Sequence, residues 1–278
     1  MRNLLVAFLG ICLLAVSAPV VFAQKPDEFL GLQSEVSQAP MPSTATEPPD
    51  VSGDYPVPGK KHLRLRVIAH PERPRRNHRK PTPIPLPACT PDNDSSTQVK
   101  LTGWHLKPGQ TMYRVNYATV PSSVGSTLAR TALVNAFSTW DASVSATFFT
   151  EGPTSSASRA RLDGQNAVLW RRQSLSTLAI AYTWYSPVTK ETIETDIVFN
   201  ARQKWSFTPY SSACSGLESY DVQNIATHEI GHWMGLDDMY SASDWDLTMY
   251  GYGSIGELKK DTLTAGDISS VTALYSSL

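Results

Sequence analysis

The sequence predicts an α/β domain over residues 98–278, and three observations support this. Along these residues a strand pattern, a helical pattern, several more strand patterns and two further helical patterns follow one another. One predicted helix carries two histidines at a spacing typical of metal ligands. The residues before 98 are rich in proline, serine, threonine and charge, which does not suit a folded core. We therefore place one folded domain at the carboxyl end of the chain.

Residues 1–23 have the pattern of a cleaved secretion signal. Arg2 is followed by the apolar run Leu4–Val16, and Val21–Ala23 resembles a cleavage site with small residues. The alternative is an uncleaved anchor, but the apolar run is short for a membrane span. We expect a secreted, extracellular protein without stable membrane association.

Residues 24–97 are expected to be largely disordered, as a Pro-rich, basic propeptide or as a linker. Residues 60–80 contain nine lysines and arginines but only one glutamate, Glu72. Four prolines follow, which predicts a stiff spacer. A propeptide would be cut at these basic sites on activation, whereas a linker would simply be solvated, and the composition fits both.

The strand and helix patterns of the domain can be placed in order. Residues 112–117 alternate as a strand does, and residues 125–140 repeat their apolar side chains at the helical period. Further strands are predicted at 146–149, 167–170, 178–184 and 195–200, and the helix with the paired histidines at 222–234. A last helix begins at Thr264, where Thr264 and Asp267 form a capping-box pattern.

The residues from His228 to Asp238 read H-E-x-x-H-x-x-G-x-x-D. Two histidines four apart lie on one face of a helix, so both can bind one zinc ion. Glu229 can reach a water on that ion without being a ligand, and Gly235 can reverse the chain and return Asp238 as a third ligand. The pattern predicts a hydrolase site with one catalytic Zn²⁺.

Two other functions remain open at this point. A gluzincin-type zinc peptidase would use a downstream glutamate as third ligand, and Glu257 is the candidate. A catalytically silent zinc-binding protein is the other, although structural zinc sites more often have four protein ligands.

Beyond the histidine motif, the chain resembles the metzincin metalloproteases and, among them, the matrixins, the family of the interstitial collagenases. Met249 matches the methionine of the turn that lies beneath the metzincin zinc. Matches to matrixin motifs follow in order along residues 99–278, at Ala136–Trp140, Thr177–Ala181, Phe199–Trp205 and Leu263–Tyr275. The resemblance implies a twisted, mostly parallel sheet with an antiparallel edge strand, a site helix and a C-terminal helix.

The resemblance also implies how substrate binds. An extended peptide would pair with the edge strand through Leu178, Ala179, Ile180 and Ala181, and Glu229 would act as general base in a zinc endopeptidase (hydrolase, EC 3.4.24 class). Extracellular proteins are then the expected substrates. The formal net charge of −1 argues against nucleic-acid binding, and we expect a monomer.

Several residues depart from the matrixin pattern. Ile180 and Val198 stand where the family has histidines for a structural zinc, so no second zinc is expected. Asn200 and Arg202 stand in place of calcium-binding carboxylates, so that calcium site is also expected to be absent. Calcium binding through three other carboxylates, of Glu191, Glu194 and Asp196, stays open. Asp238 replaces a histidine ligand, as in the snapalysins, and a carboxylate suits zinc.

Cys89 and Cys214 remain after the signal, with Cys12, is removed. A disulfide between them would tie the start of the domain to the loop before the site helix. The residues around Cys89 also resemble the matrixin cysteine switch, in which a thiolate occupies the fourth position of the zinc in a latent zymogen. We favour the disulfide.

Overall fold

A computed structural model of the protein describes residues 47–73, 96–107, 111–144, 147–208 and 218–276, all of which belong to one folded unit. The predictions for Met1–Ala23, Cys89 and Cys214 lie outside these residues. No helix in these ranges is both long enough and apolar enough to cross a bilayer.

The described residues form nine strands and three α-helices. The strands are β1 (Gly53–Pro56), β2 (Arg64–Pro71), β3 (Thr111–Val115), β4 (Phe149–Glu151), β5 (Asn166–Arg171), β6 (Thr177–Tyr185), β7 (Thr192–Asn200), β8 (Trp205–Ser206) and β9 (Tyr220–Asp221). The helices are α1 (Ser126–Asp141), α2 (Val222–Trp233) and α3 (Ala265–Tyr275). Each helix predicted from the sequence is therefore present at the expected place.

Seven strands form one mixed sheet in the order β1-β2-β6-β7-β5-β3-β4, and β8 and β9 form a small parallel pair. The strands from β7 to β4 are parallel, whereas β6, β2 and β1 run antiparallel to their neighbours. The predicted fold, a largely parallel sheet with an antiparallel edge, is confirmed.

Two predictions about the antiparallel edge are wrong. Residues 24–97 do not all lie outside the fold, because β1 and β2 extend the same sheet. The strand that contains Leu178–Ala181 is consequently not the outermost strand, since β2 pairs with it from Arg64 to Pro71. Leu63, Leu65 and Val67 alternate with charged residues, as in a strand with one buried face. The basic composition around them instead indicates a disordered segment, which is why the strand was not predicted.

The two faces of the sheet bury different apolar clusters. One face packs on α1 and α2, where the ring centroid of Phe137 on α1 lies 5.6 Å from that of Trp233 on α2. On the opposite face the side chains of β1 and β2 close a second cluster; its members are Tyr55, Leu65, Val67, Ala160, Ala167, Leu169, Ile180, Tyr182, Trp184 and Val198. Strand β2 therefore has its own apolar contacts with the sheet besides its main-chain pairing.

The residues that replace matrixin metal ligands in this sequence have other contacts in the fold. The Asn200 amide nitrogen donates to the carbonyl oxygens of Ser174 and Thr177, and its oxygen accepts from the backbone N–H of Gln173 and Arg202. Ile180 and Val198 are buried in the second cluster. These residues thus serve hydrogen bonding and packing in this fold.

Two of the carboxylates considered for calcium accept hydrogen bonds from backbone N–H groups. Asp196 accepts hydrogen bonds from the backbone N–H of Arg161 and Ala167, and Glu194 accepts from Asp163 and Gly164. These bonds attach the loop before β5 to strand β7.

Candidate active site

Helix α2 carries the paired histidines. The Asp221 carboxylate caps it by accepting from the Asn224 backbone N–H at 3.0 Å. His228 and His232 lie one turn apart on the helix, both fully buried, with ring centroids 4.8 Å apart. The helix therefore presents two imidazoles on one protected face.

Backbone carbonyls set the orientation of both imidazoles. His228 Nδ1 lies 2.8 Å from the Thr248 carbonyl oxygen, and His232 Nδ1 lies 2.9 Å from that of Leu236. A carbonyl can only accept, so each Nδ1 carries the proton and each Nε2 keeps a lone pair. This is the tautomer that a metal-binding histidine needs.

Gly235 returns the chain toward these two nitrogens. Its φ of +93° favours glycine, and a Cβ here would clash with the Trp104 carbonyl oxygen. After this reversal Asp238 Oδ1 lies 3.1 Å from His228 Nε2 and 3.6 Å from His232 Nε2. Asp238 Oδ2 accepts a hydrogen bond from the Tyr240 hydroxyl at 2.8 Å.

The three converging atoms fit a metal ion. His228 Nε2, His232 Nε2 and Asp238 Oδ1 are buried, and none has a hydrogen-bond partner in the described part of the chain. Two imidazole nitrogens and one carboxylate oxygen are a donor set that suits zinc. Buried polar atoms left without partners are costly, so their convergence favours a bound cation.

Electrostatics favour the metal-binding forms of these groups. Burial, with the Lys260 charge second, lowers the pKa of His228 to about 3, so the imidazole is neutral at physiological pH. Burial acts to raise the pKa of Asp238, but the nearby His232 and His228 outweigh it and bring this pKa to about 2.

Glu229 follows the first histidine and is fully buried. Burial, and then repulsion from Asp238, raise the pKa of its carboxyl well above the usual range, while Lys260 opposes the shift. A divalent cation beside it would also oppose the shift, because opposite charge favours the carboxylate. Glu229 Oε2 has no partner among the described residues, so it is available to bind a water.

His70, on strand β2, was not predicted from the sequence. Its ring centroid lies 3.9 Å from that of His228, with the two ring planes tilted by 38°, and its Nδ1 lies 3.1 Å from Glu229 Oε1. Its Nε2 lies 3.3 Å from Lys260 Nζ. Burial lowers the pKa of His70 well below its usual value, so it meets Glu229 as a neutral imidazole. The N-terminal segment therefore reaches the centre of the site.

The residues after β2 continue between two rims. On one side the Glu72 N–H donates to the Ser176 carbonyl oxygen at 2.7 Å, next to β6. On the other, Gly253 N–H donates to Pro71 O at 3.2 Å and Arg73 N–H donates to Gly253 O at 2.9 Å, as in a parallel bridge. The extended chain fills the space between these two rims, which we call the cleft, and His70 just before it reaches His228.

Met249 lies beneath α2, fully buried in the main apolar cluster. It follows Thr248, the acceptor for His228, and it contacts the helix at Gly231. A Cβ added at Gly231 would fall far inside contact distance of Met249 Sδ and 2.9 Å from Trp140 Cζ2. The turn and the helix therefore pack more closely than any residue with a side chain at 231 would permit.

Replacement of Gly231 by alanine should destabilise the protein. Alanine is the better helix former, by about 1 kcal/mol, so an open site would gain stability. Here overpacking against Met249 and Trp140 should lower the free energy of unfolding by about 1–3 kcal/mol. Urea unfolding measures this, with Ser138→Ala on the exposed face of α1 as the control. A more stable Gly231→Ala variant would contradict the close packing.

Glu257, the alternative third ligand, points elsewhere. Its Oε2 accepts from the Ser254 backbone N–H at 2.9 Å, and its Oε1 lies 3.5 Å from Lys259 Nζ. Among the described residues it belongs to neither cluster of candidate metal ligands, whereas Asp238 lies with both histidines. The geometry favours Asp238 over Glu257.

The comparison with known families agrees with this site. The sequence model of the matrixin family matches residues 103–276, which include α1, the site helix and α3. No curated protein matches the chain. The match covers more than half of the chain and contains every residue of the H-E-x-x-H-x-x-G-x-x-D pattern. The chain therefore belongs to the matrixin family of zinc metallopeptidases.

Proposed function

We propose that the protein is a secreted, zinc-dependent endopeptidase that hydrolyses peptide bonds of extracellular proteins. One observation carries the proposal: His228 Nε2, His232 Nε2 and Asp238 Oδ1 converge as buried acceptors beside the carboxyl of Glu229. With these three ligands, a bound zinc ion would keep a position free for water or substrate, as catalytic zinc sites require. A silent zinc-binding protein would have no use for a buried carboxyl at that place.

Glu229 is the general base in this mechanism. A zinc ion on the three ligands would supply a Lewis acid that lowers the pKa of a water molecule and polarises the scissile carbonyl. Glu229 takes the proton from the attacking water and then gives it to the leaving amine. Tyr240 holds the Asp238 carboxylate through Oδ2, so that Oδ1 stays directed at the histidines.

Hydrolysis of a protein by the full chain tests this function. After trypsin treatment and removal of trypsin activity, we expect casein cleavage that a zinc chelator abolishes and added zinc restores. Trypsin-treated buffer without the protein is the control. A zinc-loaded protein that leaves casein and a mixed peptide library intact would support the silent zinc-binding alternative.

The cleft suits an extended peptide. Strand β6 offers its main chain on one side and Gly253 offers its own on the other, which is the pattern of β-strand addition. In this structure β2 and the residues up to Arg73 use both sets of hydrogen bonds. A substrate can pair with Leu178–Ala181 only after this segment has moved out, which makes residues 24–97 a propeptide in our proposal.

A disulfide between β2 and β6 should keep the enzyme latent. Ile68 and Ala181 are paired across the two antiparallel strands, and such pairs have Cα separations that a disulfide can span. Ile68→Cys with Ala181→Cys should stay at least about tenfold less active than wild type after trypsin treatment. A reductant should restore activity.

Wild type assayed with and without reductant shows any effect of its own cysteines on activity. Each single variant shows the effect of one substitution without the crosslink. Full activity of the oxidised double variant, with the crosslink verified by mass spectrometry, would show that β2 does not block the cleft. Equal casein cleavage by wild type before and after trypsin treatment would also contradict the proposal that residues 24–97 are an inhibitory propeptide.

A further inference from the structure

Lys260 lies next to the cleft, fully buried, in the short helical turn Lys259–Asp261. Its ammonium group donates to the carbonyl oxygens of Tyr250 at 2.5 Å and Tyr252 at 3.1 Å. Its third neighbour is His70 Nε2 at 3.3 Å. An ammonium has three N–H groups, so two are used by the rim of the cleft and the third by the N-terminal segment.

These contacts define the roles of both His70 nitrogens. Because Lys260 can only donate, His70 Nε2 must accept, and the ring proton lies on Nδ1. That proton is donated to Glu229 Oε1 at 3.1 Å. The side chain of His70 therefore occupies a pocket between a cation and the general base, with its acceptor directed at the cation.

When the N-terminal segment leaves, the third N–H of Lys260 loses its acceptor. Water can take the place of that acceptor until another side chain fills the pocket. An apolar side chain would exclude this water and leave a buried charged donor without a partner, which is costly, so the entering side chain is selected by whether it offers an acceptor there. Four charged groups surround Lys260: Glu229 and Asp238 at the candidate metal site, and Glu257 and Lys259 near its own helical turn. None of them makes a hydrogen bond to its ammonium group in the described residues.

We propose that Lys260 is a specificity-determining residue of the peptidase. It selects peptide substrates whose side chain opposite Ala179, the position now held by His70, ends in a hydrogen-bond acceptor: histidine, glutamine or glutamate. This inference rests on the proposed function, because a peptidase is needed for the substrate to be a peptide. The contact that supports it, between Lys260 and His70, is seen within the chain itself. Apolar side chains of similar size are disfavoured in this pocket.

The chain's own residue 70 can report the preference without any catalysis. In the zinc-saturated full chain, His70→Gln keeps an acceptor for Lys260 and a donor for Glu229, whereas His70→Leu keeps neither. Amide hydrogen exchange over 178–184 measures how firmly β2 stays paired. Exchange in His70→Gln should remain within about threefold of wild type, and in His70→Leu it should be at least about tenfold faster.

Replacement of Lys260 should abolish this difference. In a Lys260→Met background, His70→Leu should protect β6 at least as well as His70→Gln does. Lys259→Met is the matched control, because Lys259 is also buried in the turn but pairs with Glu257 and lies over the Trp245 ring. With Lys259→Met the difference should persist. If Lys260→Met does not fold, the exchange difference between His70→Gln and His70→Leu in the wild-type background decides.

Peptide cleavage gives the second measurement. A mixed peptide library digested by the trypsin-nicked chain should show acceptor-bearing side chains enriched at one position beside the cleavage site, and Lys260→Met should shift that position toward leucine and methionine. Equal preferences in wild type and Lys260→Met, or equal exchange in His70→Gln and His70→Leu, would overturn the assignment. Absence of all cleavage would contradict the proposed function instead, and the exchange experiment would still decide on Lys260.

Discussion

Replacement of Glu229 by glutamine should lower kcat/KM for peptide hydrolysis by about 10²–10⁴-fold, the usual contribution of a general base. Glutamine has nearly the same shape and can still accept the hydrogen bond from His70 Nδ1. It cannot take a proton from water at neutral pH. The loss should appear mainly in kcat, because Glu229 lies beside the metal ligands and contributes little to binding of an extended main chain.

The comparison requires equal folding and equal metal. Zinc content by atomic absorption should be one ion per chain in wild type and in Glu229→Gln, since Glu229 is not one of the three proposed ligands. The melting temperature should not fall, because the substitution removes a buried carboxyl whose pKa is raised. An active Glu229→Gln enzyme with full zinc would exclude Glu229 as the base.

Replacement of Asp238 by alanine should cost the protein its zinc. Oδ1 of Asp238 is the atom that closes the ligand set, within 3.6 Å of both imidazole nitrogens. Loss of an outer partner of a ligand already costs 10–100-fold in metal affinity, so loss of a ligand should cost at least about 100-fold. Competition with a chelator of known affinity measures the change, and peptide hydrolysis should fall with zinc occupancy.

Glu257→Ala is the matched control for this experiment. Glu257 is also a buried carboxylate after the site helix, but it contacts Ser254 and Lys259. Its variant should keep one zinc ion per chain even if it is less stable. Zinc loss in Glu257→Ala together with full zinc in Asp238→Ala would restore the gluzincin alternative.

The sequence by itself determined the parts of the protein that depend on near neighbours along the chain. The site helix, its Asp221 cap and the paired histidines follow from the helical period and from local hydrogen bonding. Gly235 returns the chain after the helix because its conformation is local. The order of strands and helices, with the matrixin motifs, was enough to predict the mostly parallel part of the sheet and its helices, but not strands β1 and β2.

Only the tertiary structure decided what fills the cleft. Residues Arg64–Pro71 alternate as a strand, but their place beside β6 depends on pairing over more than a hundred residues, which no local pattern encodes. His70 and Lys260 are 190 positions apart and meet at one buried point next to Glu229. This long-range contact forms because main-chain hydrogen bonding and burial of apolar side chains together fix the position of β2. The pairing partner of a strand is not given by the spacing of its own residues.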